Sequence, residues 1–282
     1  MIIDSHQHFW DPAQADYPWM DAPELKPIRR AFGPADLAPL LKANGIDASI
    51  VVQCRSAVEE TEAFLRIASV TPSVIGVVGW VDLTDAVLGD TLDRLRALPG
   101  GEKLVGIRHQ VHDEPDPDWL LRADVQRGLQ AVFTCGLAYD FLVRTRELPA
   151  AIATAKAFPQ ARFVLDHAAK PPIADDWSTD WADRTAALAA CGNVWCKISG
   201  LATEAKWNDW DAARLFPFVA HAAKCFGEDR LIFGSDWPVC LLAGSYGEIK
   251  SALEACLAQL GSNAREKAFG VNARAAYRLP RT

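Results

Sequence analysis

Eight short apolar runs, each followed by a stretch of helical pattern, constrain the fold of this chain more than any other feature of its sequence. The runs cover residues 2–6, 48–53, 74–81, 104–110, 138–143, 162–166, 194–199 and 231–235. Nearly continuous apolar runs of this length read as parallel strands covered on both faces. Helical pattern follows at 35–44, 59–69, 85–97, 123–134, 149–157, 182–190, 212–226 and 246–260. Within 123–134, for example, Val125, Leu129 and Val132 recur at helical spacing. Asn44-Gly45, Phe158-Pro159 and Gly192-Asn193 punctuate helix ends. Eight strand–helix units predict an α/β fold, a closed (β/α)8 TIM barrel occupying residues 1–282 as one domain. No Gly-x-Gly-x-x-Gly follows a strand, so a dinucleotide-binding sheet and an organic cofactor are not expected.

Charge and cysteine usage narrow the partners. The 29 Lys+Arg and 36 Asp+Glu give a net charge of −7, spread without a basic stripe. Nucleic acid and anionic membrane surfaces are therefore poor partners. Half the residues are hydrophobic, enough for a large core without disulfides. The seven cysteines include no Cys-x-x-Cys pair and read as small buried hydrophobes in a reducing cytosol. No basic leader precedes the first apolar run, and no run of about 18 apolar residues occurs, so a soluble cytoplasmic protein is expected.

A barrel demands that its chemistry sit at the C-terminal ends of the strands. The polar residues cluster there. The first run ends in Asp4-Ser5-His6-Gln7-His8, and residues two apart on an extended chain share a side. His6 and His8 can thus approach one metal ion or one substrate. The eighth run ends in Ser235-Asp236-Trp237, and in a closed barrel it lies beside the first. Asp236 is placed to ligate a metal, to take a proton from water, or simply to cap the next segment. His167 directly follows the sixth run and can serve as ligand, acid or electrophile, whereas Asp166 points the other way and can orient a neighbour. Lys170 reaches the pocket mouth or is a solvated loop lysine. Arg108 emerges from the fourth run as a clamp for a carbonyl or carboxylate oxygen, with His109 facing oppositely. His112 lies farther along that loop, and His221 sits on an apolar helix as a packing residue. Arg55, Asp82, Asp140 and Lys197 stand at other strand ends. Trp10, Tyr17 and Trp19 follow the first strand; aromatic faces there suit a sugar ring or serve as packing. No Gly-x-Ser-x-Gly elbow and no phosphate loop occur, which leaves water as the simplest nucleophile.

The motifs Asp4-Ser5-His6-Gln7-His8-Phe9-Trp10, Gly79-Trp80-Val81-Asp82, Gly106-Ile107-Arg108-His109, Leu165-Asp166-His167, Lys197-Ile198-Ser199-Gly200-Leu201 and Gly234-Ser235-Asp236-Trp237-Pro238 span nearly the whole chain. Together they resemble the amidohydrolase superfamily, and most closely the amidohydrolase-2 branch of sugar lactonases and 2-pyrone-4,6-dicarboxylate lactonase. The resemblance implies an amidohydrolase-like barrel that opens a sugar lactone, such as L-fucono-, L-rhamnono- or L-galactonolactone, to its aldonic acid. It implies Asp236 as base on water, with His167 or Arg108 polarising the lactone carbonyl. His6, His8 and Asp236 would hold one divalent cation where one is bound, zinc by preference and either weakly held or dispensable to turnover. Arg108, His109, Lys170, Trp10, Arg55 and Trp237 would contact the substrate. Neither the fourth nor the fifth strand offers the lysine that bridges two metals in binuclear members, nor the fifth the histidine that completes many one-metal sites. Two rivals share these residues: a metal-dependent decarboxylase of the same branch, and a sugar-binding barrel without catalysis.

Overall fold

A computed structural model describes residues 1–261 and 263–280. The eight strands are β1 (Ile3–Gln7), β2 (Ala48–Val52), β3 (Val74–Gly79), β4 (Leu104–His109), β5 (Ala138–Phe141), β6 (Phe163–Leu165), β7 (Val194–Lys197) and β8 (Leu231–Ile232). All are parallel and lie in the sheet in chain order. Between and after them run α1 (Pro34–Ala43), α2 (Val58–Val70), α3 (Leu88–Arg96), α4 (Ala123–Thr134), α5 (Leu148–Ala157), α6 (Thr179–Ala189), α7 (Ala212–Phe226) and α8 (Tyr246–Ala258). The short α9 (Ala264–Glu266) and α10 (Asn272–Tyr277) complete the chain. The (β/α)8 barrel expected from the alternation is present. Two helices start three residues away from the expected position, and the others start within one residue of it. α3 starts three residues later than the apolar pattern, after Asp82 and Asp85 fold the preceding segment through their own side-chain bonds. α6 starts three residues earlier, because the Ser178 hydroxyl accepts the Trp181 N–H and caps it.

The seam between β8 and β1 is closed by backbone bonds: Ser5 N–H to Phe233 O (3.1 Å), Asp236 N–H to His6 O (2.8 Å) and His8 N–H to Trp237 O (2.7 Å). Asp4 reinforces it. Its buried carboxylate accepts from the Ser235 N–H (2.8 Å), the Ser235 hydroxyl (2.6 Å) and the Tyr246 hydroxyl on α8 (2.9 Å). β1 also carries a bulge: Asp4 to Gln7 spans three steps against two on β2, from Ser49 to Val51. A bulge re-aims the side chains beyond it, here beside His6.

Ile3, Ile50, Val52, Val78, Ala138, Val164 and Ile232 form a separate apolar cluster with Ala273, Ala276 and Tyr277 of α10. These strand residues fill the lower interior of the barrel, and α10 seals it at the N-terminal ends of the strands. Asn272 of α10 bonds Leu231 O at the start of β8 (2.7 Å), and Arg162 just before β6 donates to Ala276 O (2.8 Å). Above this apolar floor the interior turns polar, with Arg108, Asp140, Asp166 and Lys197 all buried.

Candidate active site

The polar layer of the barrel carries the site. His6, at the end of β1, lies against two cations and two carboxylates. Its Nδ1 is 3.3 Å from Asp166 Oδ1 and 3.2 Å from Lys197 Nζ; its Nε2 is 3.2 Å from Arg108 Nη1 and 3.7 Å from Asp236 Oδ1. Complete burial drives the imidazole well below its ordinary pKa, outweighing the pull of Asp166. Lysine and arginine have only protons to give. The acceptor nearest the ring nitrogens is Asp166 Oδ1, which places the His6 proton on Nδ1 and the lone pair on Nε2.

His8 is less ambiguous. Its Nδ1 lies 2.7 Å from Val52 O, and a carbonyl can only accept, so Nδ1 carries the proton. The Nε2 lone pair therefore faces the Asp236 carboxylate at 3.4 Å. Two lone-pair bearers at that distance repel unless something positive lies between them.

His167 arrives by an unusual backbone route. Residues 167–170 all have positive φ, from 48° to 60°, forming one left-handed turn directly after β6. Each non-glycine residue in that region costs roughly 1–2 kcal/mol, and such strain concentrates at functional sites. Gly200, itself at φ 66°, permits the approach: a Cβ there would lie 2.4 Å from His167 Nδ1. His167 Nδ1 meets the Ser199 hydroxyl at 3.0 Å, while Nε2 lies 4.0 Å from Asp236 Oδ1. Burial lowers the His167 pKa to about 4, so the ring is neutral near pH 7.

Asp236 thus stands with one oxygen facing three imidazole Nε2 atoms. Burial alone would raise its pKa, but His167, His8 and His6 outweigh burial and hold the carboxyl below the usual range. Its ion pairs are all with imidazoles. By contrast, Asp140 and Asp166 are matched by Lys197 and Arg108, at 2.7 Å (Asp140–Lys197), 2.9 Å (Asp166–Lys197) and 2.9 Å (Asp166–Arg108). The donor set fits one divalent cation: His6, His167 and Asp236 each offer a ligand atom, all within 4.8 Å of one another. His167 thus stands with His6 and Asp236 of the expected ligands, whereas His8, also expected, lies outside this group although its Nε2 is 3.4 Å from Asp236 Oδ1.

The other expected residues fall into two groups. Arg108 is inside the barrel but heavily engaged: it donates to Gln53 Oε1 (2.9 Å), Gln53 O, Asp166 and His6. Lys170 sits at the mouth, ion-paired to Glu204 at 2.6 Å. His109 stacks on Trp119 at 4.2 Å, with one ring nitrogen taking the Trp80 indole N–H and the other meeting Glu114 at 2.7 Å. Trp10 packs among Tyr17, Trp19 and Phe32 and donates to Ile28 O (3.0 Å). Trp237 lies between Phe9 and Phe32, and Arg55 covers the Tyr17 ring. Trp10, Trp237 and Arg55 thus pack against the loop after β1, through Tyr17 and Phe32. His221 packs against Trp177 and Trp181. Lys197 and Asp140 were visible only as polar strand ends. The signal in each was a charge inside an otherwise apolar run, which burial permits only when the charge is paired.

Among the described residues, no helix is long and apolar enough to cross a membrane. The chain is similar to an L-fucono-1,5-lactonase of Burkholderia ambifaria, at 42% identity over 99% of this chain and 96% of that protein. A second L-fucono-1,5-lactonase, from Burkholderia multivorans, is 39% identical over the same shares. A crystal structure of an amidohydrolase from Burkholderia multivorans with bound zinc superposes with a TM-score of 0.93 at 38% identity, covering 99% of this chain and 100% of that one. The family pattern described as amidohydrolase matches residues 3–279, and the chain belongs to that family.

Proposed function

We propose that this chain opens a six-membered L-sugar lactone of the L-fucono-1,5-lactone type, with the Asp236 carboxylate as general base on water. The observation that carries the reading is the isolated carboxylate of Asp236, faced by three Nε2 atoms at 3.4–4.0 Å at the end of a barrel. The enzyme is a lactonase, a carboxylic-ester hydrolase, by its full-length likeness to two L-fucono-1,5-lactonases.

Asp236 takes a proton from water as its oxygen attacks the lactone carbonyl carbon. The tetrahedral oxyanion collapses, the ring C–O bond breaks, and Asp236 returns the proton to the departing ring oxygen, giving the hydroxy acid. His167 suits the oxyanion. When Ser199 Oγ–H donates to His167 Nδ1, the His167 proton sits on Nε2, on the side facing Asp236, where it can donate to the carbonyl oxygen. Because Ser199 can equally accept, the same ring can instead present a lone pair to a cation. Arg108 holds Asp166 and His6 in place and has few protons left for substrate. Lys170 and Glu204 at the mouth are placed to bind sugar hydroxyls.

His6, His8, His167 and Asp236 would hold the divalent ion, and imidazole with carboxylate suits zinc. Such an ion polarises a carbonyl and acidifies water. The fixed Arg108 cation, 3.2 Å from His6 Nε2, weakens the site for a second cation, in keeping with an ion that a reactive lactone can do without. The test is acid release from L-fucono-1,5-lactone and related aldonolactones, followed with a pH indicator, with and without a chelator. Acid release above background from at least one lactone is expected; none from any of them refutes the reading.

A further inference from the structure

Helix α10 seals the barrel floor, but one of its residues reaches past the apolar cluster. The Tyr277 hydroxyl donates to Asp140 Oδ2 at 2.6 Å. The same oxygen accepts from Lys197 Nζ at 2.7 Å. Lys197 then lies 2.9 Å from Asp166 Oδ1 and 3.2 Å from His6 Nδ1. A continuous chain of polar contacts thus runs from the C-terminal helix to a histidine of the reaction centre.

Nothing in this chain can be replaced by solvent, since Asp140, Asp166, Lys197 and His6 are all fully buried. Asp140 Oδ1 has no hydrogen-bond partner, so Tyr277 and Lys197 supply the hydrogen bonds of this carboxylate through its other oxygen. Without the Tyr277 hydroxyl, the ammonium of Lys197 is the donor left to Asp140 and is drawn toward it. Its hold on Asp166 weakens in proportion. Asp166 Oδ1 faces His6 Nδ1, and Asp166 Oδ2 takes Arg108, so a shift of that carboxylate alters both the orientation of the His6 ring and the position of its proton. The Tyr277 ring already packs with Ala273, Ala276 and Leu279; the hydroxyl adds nothing to that packing.

The geometry points to Tyr277, Asp140 and Lys197 as positioning residues that set the orientation of His6 from the floor of the barrel. The kinetic part of the test rests on the lactonase reading; the spectroscopic part does not. Tyr277→Phe keeps the ring and removes the strut, whereas Leu279→Ala damages the same apolar floor without touching a charge. Tyr277→Phe is expected to lower kcat about tenfold with KM within twofold. Leu279→Ala is expected to cost at least as much melting temperature yet leave kcat within twofold. In an Asp140→Asn background, Tyr277→Phe should add less than a twofold loss. In a long-range proton–nitrogen correlation spectrum of 15N-labelled protein, the His6 ring nitrogens should shift in Tyr277→Phe and in Asp140→Asn but not in Leu279→Ala. The inference is overturned if Tyr277→Phe lowers kcat no more than Leu279→Ala does, or if the His6 resonances stay at their wild-type positions. Should the wild-type protein open no lactone, the functional reading fails on its own, and the His6 resonances still decide the strut.

Discussion

Replacing Asp236 by asparagine tests the reaction centre with little cost to the fold. The backbone at Asp236 has φ 59°, a left-handed conformation that asparagine adopts readily and alanine does not. The N–H of residue 236 keeps its 2.8 Å bond to His6 O, so the barrel seam survives. The amide matches the carboxylate in shape and removes a buried charge paired with no lysine or arginine, so the stability change should stay under about 1 kcal/mol, or roughly 2 °C in melting temperature. An amide cannot accept the proton of water at neutral pH. General-base catalysis is worth about 10²–10⁴ in rate, or roughly 3–5 kcal/mol of barrier. The expected result is a kcat lowered by about that factor with KM little changed, because the loss falls on the transition state. The assay is acid release from L-fucono-1,5-lactone, corrected for spontaneous opening. A kcat within threefold of wild type, in protein that melts normally, would refute Asp236 as the base. Asp236→Ala is the poorer probe, since it adds about 1–2 kcal/mol of backbone strain to the loss of the side chain.

Other outcomes follow from the same geometry. Gly200→Ala should abolish turnover while leaving circular dichroism unchanged, because the added Cβ falls 2.4 Å from His167 Nδ1 and 3.1 Å from Asp236 Oδ2; a variant with more than a tenth of wild-type kcat would show that His167 is not held where it must act. Tyr246→Phe removes one hydroxyl from the buried Asp4 carboxylate and should destabilise by about 1.5–3 kcal/mol in chemical denaturation, with kcat nearly intact. His167, neutral because burial places its pKa near 4, should leave kcat flat from pH 6 to 8; an acid limb centred above pH 6 that disappears in His167→Gln would mean that the ring titrates there and that its burial does not hold it neutral.

The eightfold alternation made the barrel legible because each strand is an apolar run and each helix shows its own period. The strand ends made His6, His8 and Asp236 legible, since a barrel confines chemistry to one rim. What escaped the sequence depends on packing across the barrel. Lys197 follows Val194-Trp195-Cys196, and only the closed sheet reveals that it meets Asp140 from β5 and Asp166 from the end of β6. The left-handed turn at residues 167–170 has no glycine to announce it, for its sequence is His-Ala-Ala-Lys. Its one trace lies elsewhere, in Gly200, which makes room for His167. Trp10 and Trp237 illustrate the opposite difficulty. An aromatic side chain at a strand end reads alike whether it stacks on a sugar or on Phe32, and here both rings pack on Phe32.

The distribution of charge explains why one carboxylate of three is available for chemistry. Asp140 and Asp166 share two fixed cations, Lys197 and Arg108, so that the layer beneath the site is balanced. A carboxylate matched in this way is a poor ligand, because any metal must first displace an ion pair. Asp236 faces imidazoles that burial keeps neutral at His6 and His167. Its carboxyl lies below the ordinary range and stays ionised with no lysine or arginine paired to it. The protein thereby keeps an ionised, partly desolvated carboxylate at the barrel mouth. The positive charge it calls for can come from a divalent ion or from the proton it takes from water as the lactone opens.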